Sequence, residues 1–234
     1  MQKNLILLLF LVVALGIVSG CERVGDLPDA KKTETQAKTE APEEAPAPPD
    51  GCSSEFRALF DQAVVELSGE GEGDVVIITD PLCWHCRLAH KLMGEYSGLY
   101  GRLRLSFFPR KSFMGSDMAA WILEDAAATD RIRTMVDYAY SDLKQPKTSD
   151  LMEARMLVLL QFTQAFPDLL EGTTMEELYV RFQSGHEAHV LESAMLARAA
   201  QLPGTPILVA GEHVILGFGP GPWIKALEEK SVCK

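Results

Sequence analysis

The sequence predicts a mixed α/β domain in which a long all-helical insertion separates a strand-helix-strand unit from a closing hairpin and helix. Three observations carry this. Val75 to Ile78 is a continuous β-branched apolar run, the mark of a strand buried on both faces, and Leu103 to Phe108 gives a second strand after one helical pattern, which implies a parallel pair joined by a crossover. From Ser116 to about Leu202 no strand-like run occurs. Ile207 to Ala210 and Val214 to Leu216, joined by Gly211-Glu212, then read as a hairpin, with Pro222 at a natural first position for a helix over Trp223 to Glu229.

The remaining elements follow in chain order. Ser53 or Ser54 can cap a helix whose apolar residues Phe56, Leu59, Phe60, Ala63, Val64 and Leu67 share one face, ending by Gly69. The run Gly69-Glu70-Gly71-Glu72-Gly73 lacks both the spacing and the preceding strand of a nucleotide loop and reads as a turn. Asp80-Pro81-Leu82 breaks the first strand, and a helix opens at Cys83-Trp84-His85-Cys86 with Leu88, Leu92, Met93 and Tyr96 inward. Within the insertion, about residues 115–202, helix starts are expected at Ser116, Asp130 and Ser149. Thr173 with Glu176 and Ser184 with Glu187 have capping-box spacing.

The ends of the chain differ from its middle. Leu5 to Val18 is an unbroken apolar run of 14 residues, the size of a signal-peptide core and short of the roughly 20 that a spanning helix needs. The residues closing it, Val18-Ser19-Gly20-Cys21, resemble a bacterial lipobox. That motif implies cleavage after residue 20 and diacylglycerol on Cys21, with membrane attachment through lipid. Residues 21–51, rich in Pro, Glu, Lys, Thr and Ala, cannot bury enough apolar surface to offset ordering and are expected to be a disordered tether spanning on the order of 30 Å. The folded domain is expected over 52–234. Twenty-two basic against 33 acidic residues give a net charge of −11, or −12 once Lys3 is cleaved away, which argues against nucleic acid as a partner.

Five cysteines sort by position. Cys21 is assigned to lipid and Cys83 with Cys86 form a C-x-x-C. Cys52 and Cys233 remain, flanking the folded domain. In an oxidising compartment they form a structural bridge or stay unpaired; sequence alone leaves both open, with the bridge slightly favoured.

A thiolate is the nucleophile in disulfide exchange, and a helix N-terminus lowers a thiol pKa through its free N–H groups and dipole. Cys83 at the helix mouth is therefore the attacking residue and Cys86, one turn in, the resolving one. His85 offers a donor or positive charge to the Cys83 thiolate, and Trp84 an exposed aromatic contact for unfolded substrate. The competing reading is a tethered copper chaperone using the same thiols. A zinc site over Cys83, Cys86, His85 and His90 lacks the second pair that structural zinc usually requires. His186-Glu187-Ala188-His189 has its histidines three apart where a zincin needs four, and reads as surface helix. No metal and no cofactor beyond the cysteine pair is expected.

Leu82-Cys83-Trp84-His85-Cys86, Phe108-Pro109-Arg110, Gly204-Thr205-Pro206 and the closing Gly217, Pro222 and Leu227 resemble the catalytic domain of DsbC/DsbG-type periplasmic disulfide isomerases, a thioredoxin-like family. The resemblance spans roughly Val75 to Lys230. It implies a thioredoxin-like fold, thiol:disulfide exchange with unfolded or misoxidised exported proteins, and recycling by a membrane redox partner. It also implies that Pro206 is cis beside the cysteines and that Thr205 offers backbone to substrate. Those family members carry an N-terminal dimerisation domain, where this chain has a tether and one helix. A monomer on the extracytoplasmic side of a bacterial envelope is the resulting expectation.

Overall fold

The computed structural model describes residues 50–233, so the signal segment, Cys21 and the tether ahead of Asp50 lie outside the described residues. The chain forms helix α1 (Ser54–Gln62), strands β1 (Val65–Ser68) and β2 (Asp74–Thr79), helix α2 (Trp84–Glu95) and strand β3 (Arg102–Phe107). Four insertion helices follow: α3 (Ser116–Asp125), α4 (Ile132–Ser141), α5 (Leu151–Ala165) and α6 (Met175–Ala199). Strands β4 (Ile207–Ala210) and β5 (His213–Leu216) and helix α7 (Pro220–Glu229) close the domain.

The five strands lie in the order β1-β3-β2-β4-β5, with β2 and β3 parallel and every other pair antiparallel. Strand β2 is central, which explains its unbroken apolar sequence. Val75 and Ile77 pack into a core shared with α2, α7 and most of the insertion, while Val76 and Ile78 pack with Phe56 and Leu59 of α1 and Ala194 and Ala197 of α6. Both faces of the strand are covered, the condition under which alternation disappears.

The first helix is shorter than the sequence predicts. It stops at Gln62, Ala63 turns extended at ψ 113°, and Val65–Ser68 is an edge strand paired antiparallel to β3, Val65 opposite Leu105 and Leu67 opposite Leu103. Val65 and Leu67 are buried while Ser68 is exposed, a period of two that overrides the helical spacing assigned to Leu67. Val64, expected inward, is 46% exposed. The glycine run is a turn, and its composition has a packing cause: Gly69 and Gly71 donate to the carbonyls of Gly101 and Tyr100 at 2.8 and 3.0 Å, and a Cβ on either would strike backbone.

Boundaries shift elsewhere by a residue or two. Tyr96 caps the end of α2 and is exposed rather than inward. The capping box belongs to Thr174 and Glu177, one residue beyond the expected pair, and Ser184 lies inside α6 with its hydroxyl on the Arg181 carbonyl. Asp150, not Ser149, caps α5; α4 opens at Ile132 with no side-chain cap; Pro220, not Pro222, takes the first position of α7. His186 and His189 are not free surface residues. His189 Nδ1 lies 2.9 Å from both oxygens of the buried Glu124 carboxyl, and His186 faces Glu124 and Asp125, tying α6 to α3.

Candidate active site

At the end of β2 the chain makes a turn built by Asp80. Its Oδ1 accepts the N–H of Leu82 at 2.9 Å, the side-chain turn that aspartate favours, and its carbonyl accepts the N–H of Cys83 at 3.1 Å, with Pro81 between them. The turn delivers Cys83 to the N-cap of α2 in extended conformation, where a Ser, Thr or Asp oxygen ordinarily accepts the free N–H groups of the second and third helical residues. Those residues are His85 and Cys86. Sulfur thus occupies the capping position, and the three-residue offset of C-x-x-C follows from helix geometry.

The electrostatics match this placement. Cys83 is held down to about 5: the Cys86 thiol donates to its sulfur, and the backbone N–H groups of Cys86 and His85 add to that against the opposing push of burial. Cys86 moves the other way, pushed well above the usual thiol range by burial and by the neighbouring Cys83. The two cysteines are thus unequal, Cys83 ionised and Cys86 protonated at neutral pH. Trp84 at the first helical position is 65% exposed, the His85 ring is exposed too, and the His85 backbone N–H contributes to Cys83.

Across from the pair lies the loop before β4. The Thr205–Pro206 bond is cis, Pro206 is buried, and Cys83 Sγ lies 3.8 Å from the Thr205 carbonyl, to which it donates only while the thiol keeps its proton. The structure therefore gathers Cys83, Cys86, His85, Trp84, Thr205 and Pro206 at one end of the sheet. Cys52 and Cys233 are joined by a disulfide at the other end, beside the β4–β5 turn, where Gly51 donates to the Glu212 carbonyl at 3.0 Å.

Sequence reasoning missed three residues. Asp80 is fully buried, and burial, reinforced by the Cys83 charge, raises its carboxyl to about 7 despite hydrogen bonds from the N–H groups of Arg110 and Leu82. Tyr140 of α4 is buried where it feels the cysteine charges, its hydroxyl 2.9 Å from Thr79 Oγ1. Arg87 is anchored to the Leu143 carbonyl, with its charge near Cys83. An acid directly after a wholly apolar strand was the one signal for Asp80; Tyr140 arrives from 54 residues beyond Cys86 and had none. Among the described residues no group of three or more His, Cys, Asp or Glu is placed to hold a metal ion.

No protein-family model matches the chain, and no curated protein matches it. Solved structures do. A thioredoxin-like oxidoreductase from Silicibacter pomeroyi is 22% identical with a TM-score of 0.53, covering 73% of this chain and 94% of its own. A periplasmic thioredoxin-like protein from Salmonella enterica serovar Typhimurium is 15% identical (TM-score 0.52, coverage 76% and 95%). The thiol-disulfide exchange protein alpha-DsbA2 from Wolbachia pipientis is 16% identical (TM-score 0.52, coverage 76% and 95%). The fold is thioredoxin-like, with a helical insertion between its two halves.

Proposed function

We propose that this protein is a thiol:disulfide oxidoreductase of the bacterial cell envelope that exchanges disulfides with exported proteins through Cys83 and Cys86. The observation that carries the reading is the asymmetry of the pair: sulfur at the N-cap of α2 is ionised, and its partner one turn in keeps its proton. The Cys83 thiolate attacks one sulfur of a substrate disulfide, forming a mixed disulfide and releasing the other sulfur as a thiolate that takes up a proton. Cys86 then loses its proton and attacks Cys83 Sγ, so the substrate leaves with two thiols and the enzyme holds the disulfide. The reverse sequence oxidises a substrate dithiol. Trp84, exposed beside the sulfur, and the Thr205 backbone are the proposed substrate contacts, and Pro206 forms the facing wall.

The finer kinship with DsbC/DsbG-type isomerases rests on the sequence motifs alone. The solved structures reported above include a DsbA-type protein and support the coarser reading. Envelope location rests on the signal segment and the lipobox at Cys21, and on the periplasmic description of the Salmonella neighbour. Lipid on Cys21 is the proposed attachment, on the strength of the lipobox residues. A membrane redox partner for recycling and a monomeric state complete the proposal.

The test is a pair of substitutions. Cys83→Ser abolishes insulin reduction because the nucleophile is gone, whereas Cys86→Ser accumulates mixed disulfides through Cys83. Equal trapping by both variants overturns the assignment.

A further inference from the structure

A second cleft, with a volume of about 420 Å³, lies outside the thiol pair, between the loop after β3, the starts of α3 and α5, and the outer face of α6. Its floor is apolar, formed by Trp121, Val190 and Ala194, and its rim carries Leu151 and Leu191, 45% and 55% exposed. A concave apolar floor with a few charged groups at its edge is the usual make-up of a binding cleft.

The charges on the cleft do not cancel. Arg155 is held by Asp117 at 2.5 Å and approaches Glu187 at 3.8 Å, which uses both acids of the lining. Arg110, Lys111 and Arg198 line the same cleft, and none of them makes an ion pair among the described residues. Arg110 and Arg198 both lie against the Phe108 ring, at 5.6 and 5.5 Å from its centroid. Four cations against two acids leave an excess of two positive charges, with Arg110, Lys111 and Arg198 outside any ion pair at one end of the cleft, which stands out in a chain of net charge −11.

That end adjoins the thiol site. The Arg110 guanidinium donates to the Pro203 carbonyl at 3.2 Å, two residues before the Thr205 carbonyl that faces Cys83. Its backbone N–H holds the Asp80 carboxyl of the turn that places Cys83. Arg110 thus belongs to the cleft and is bonded to both loops that flank the thiol pair.

We propose that the cleft docks an extended substrate segment in which apolar side chains alternate with carboxylates. The proposal rests on the thiol-exchange reading and names the class of substrate it prefers. Apolar residues fill the floor, and carboxylates meet Arg110, Lys111 and Arg198. At about 0.1 M salt, charges more than roughly 10 Å away are screened, so an incoming segment feels these cations rather than the acidic remainder. The inference runs against the whole-molecule charge, which by itself favours basic segments.

The test uses two fluorescein-labelled twelve-residue peptides, one alternating Leu with Glu and the other Leu with Lys, each carrying Ser in place of Cys so that binding is read without exchange. At about 0.1 M salt the acidic peptide binds the wild-type protein about tenfold tighter by anisotropy, the size expected of a few complementary charges. The double variant Lys111→Glu/Arg198→Glu reverses the preference, and Leu191→Ser weakens both peptides. All three proteins reduce the small neutral disulfide of mercaptoethanol at the wild-type rate. Equal or tighter binding of the basic peptide, or an acidic preference that survives the double variant, overturns the proposal. So does concentration-dependent dimerisation that Leu191→Ser abolishes, which assigns the cleft to a second copy of the chain. The same peptides with a disulfide restored read exchange: normal binding with no exchange sinks the thiol-exchange reading and leaves the docking groove standing.

Discussion

The backbone N–H of Arg110 meets Oδ2 of Asp80 at 2.8 Å, while Oδ1 of the same carboxyl takes the N–H of Leu82 at 2.9 Å. One buried side chain thus fastens the turn before Cys83 to the loop after β3, and its ionisation is opposed by burial and by the thiolate beside it.

This gives stability a pH dependence of defined sign. Asp80 is raised to about 7 in the folded protein against an ordinary aspartate value near 4. Between those values the folded chain holds a proton the unfolded chain has lost, so the contribution is fully present below about pH 4 and is lost as pH rises through 7. Glu124, raised to about 7 chiefly by burial, acts in the same direction. In the Cys83–Cys86 disulfide form, Asp80→Asn is expected to remove up to one proton from this slope, about 1.4 kcal/mol per pH unit. Urea midpoints measured from pH 4 to 8 check it, and an unchanged slope refutes it.

Cys83 works in the opposite sense. Its lowered value means that the reduced protein gains stability as pH rises from about 5 toward the ordinary thiol range near 9, a gain lost as pH falls through 5. Thiolate absorbance near 240 nm is expected to titrate with a midpoint about 5. His85→Ala keeps the backbone N–H and removes the ring. A small rise in midpoint, worth under about 1 kcal/mol because the ring is exposed, is expected, with a more reducing potential. An unmoved midpoint removes the ring from the mechanism.

The Cys52–Cys233 bridge closes a separation of 181 residues. Replacing both cysteines by Ser is expected to cost roughly 5 kcal/mol in the chain-entropy account. Guanidinium midpoints without reductant measure the loss, while insulin reduction by the variant stays at the wild-type rate because the bridge is remote from Cys83. A midpoint equal to that of the wild type denies the bridge a stabilising role.

Cys21→Ala is expected to abolish acylation and move the protein from membrane to soluble fractions after a salt wash. A variant that still sediments with membranes overturns the lipobox reading.

What the sequence disclosed and what it hid divide along physical lines. Strand β2, its parallel partner β3, the insertion and the hairpin were legible because burial on two faces or a strict period leaves a compositional trace. Edge strand β1 was not: Phe56, Leu59, Phe60 and Ala63 set a helical rhythm that Leu67 happens to continue, and only pairing with Leu103 and Leu105 fixes it as a strand. At the site, Cys83, Cys86 and Pro206 stood out because their chemistry is local to a motif. Asp80 was read only as a strand breaker, and Tyr140 reaches the pair by tertiary packing that no spacing in the chain encodes.

The disulfide and the thiol pair occupy opposite poles of the sheet. Ile78 pairs with Ile207 at the thiol pole and Val75 with Ala210 at the other, where Gly51 and Cys52 enter the domain. Whatever pulls on the chain ahead of Asp50 therefore loads a covalently stitched corner rather than the lone helix α1. The stitched entry and the thiol pair sit a full strand length apart, so a load taken at Cys52 leaves the geometry around Cys83 undisturbed.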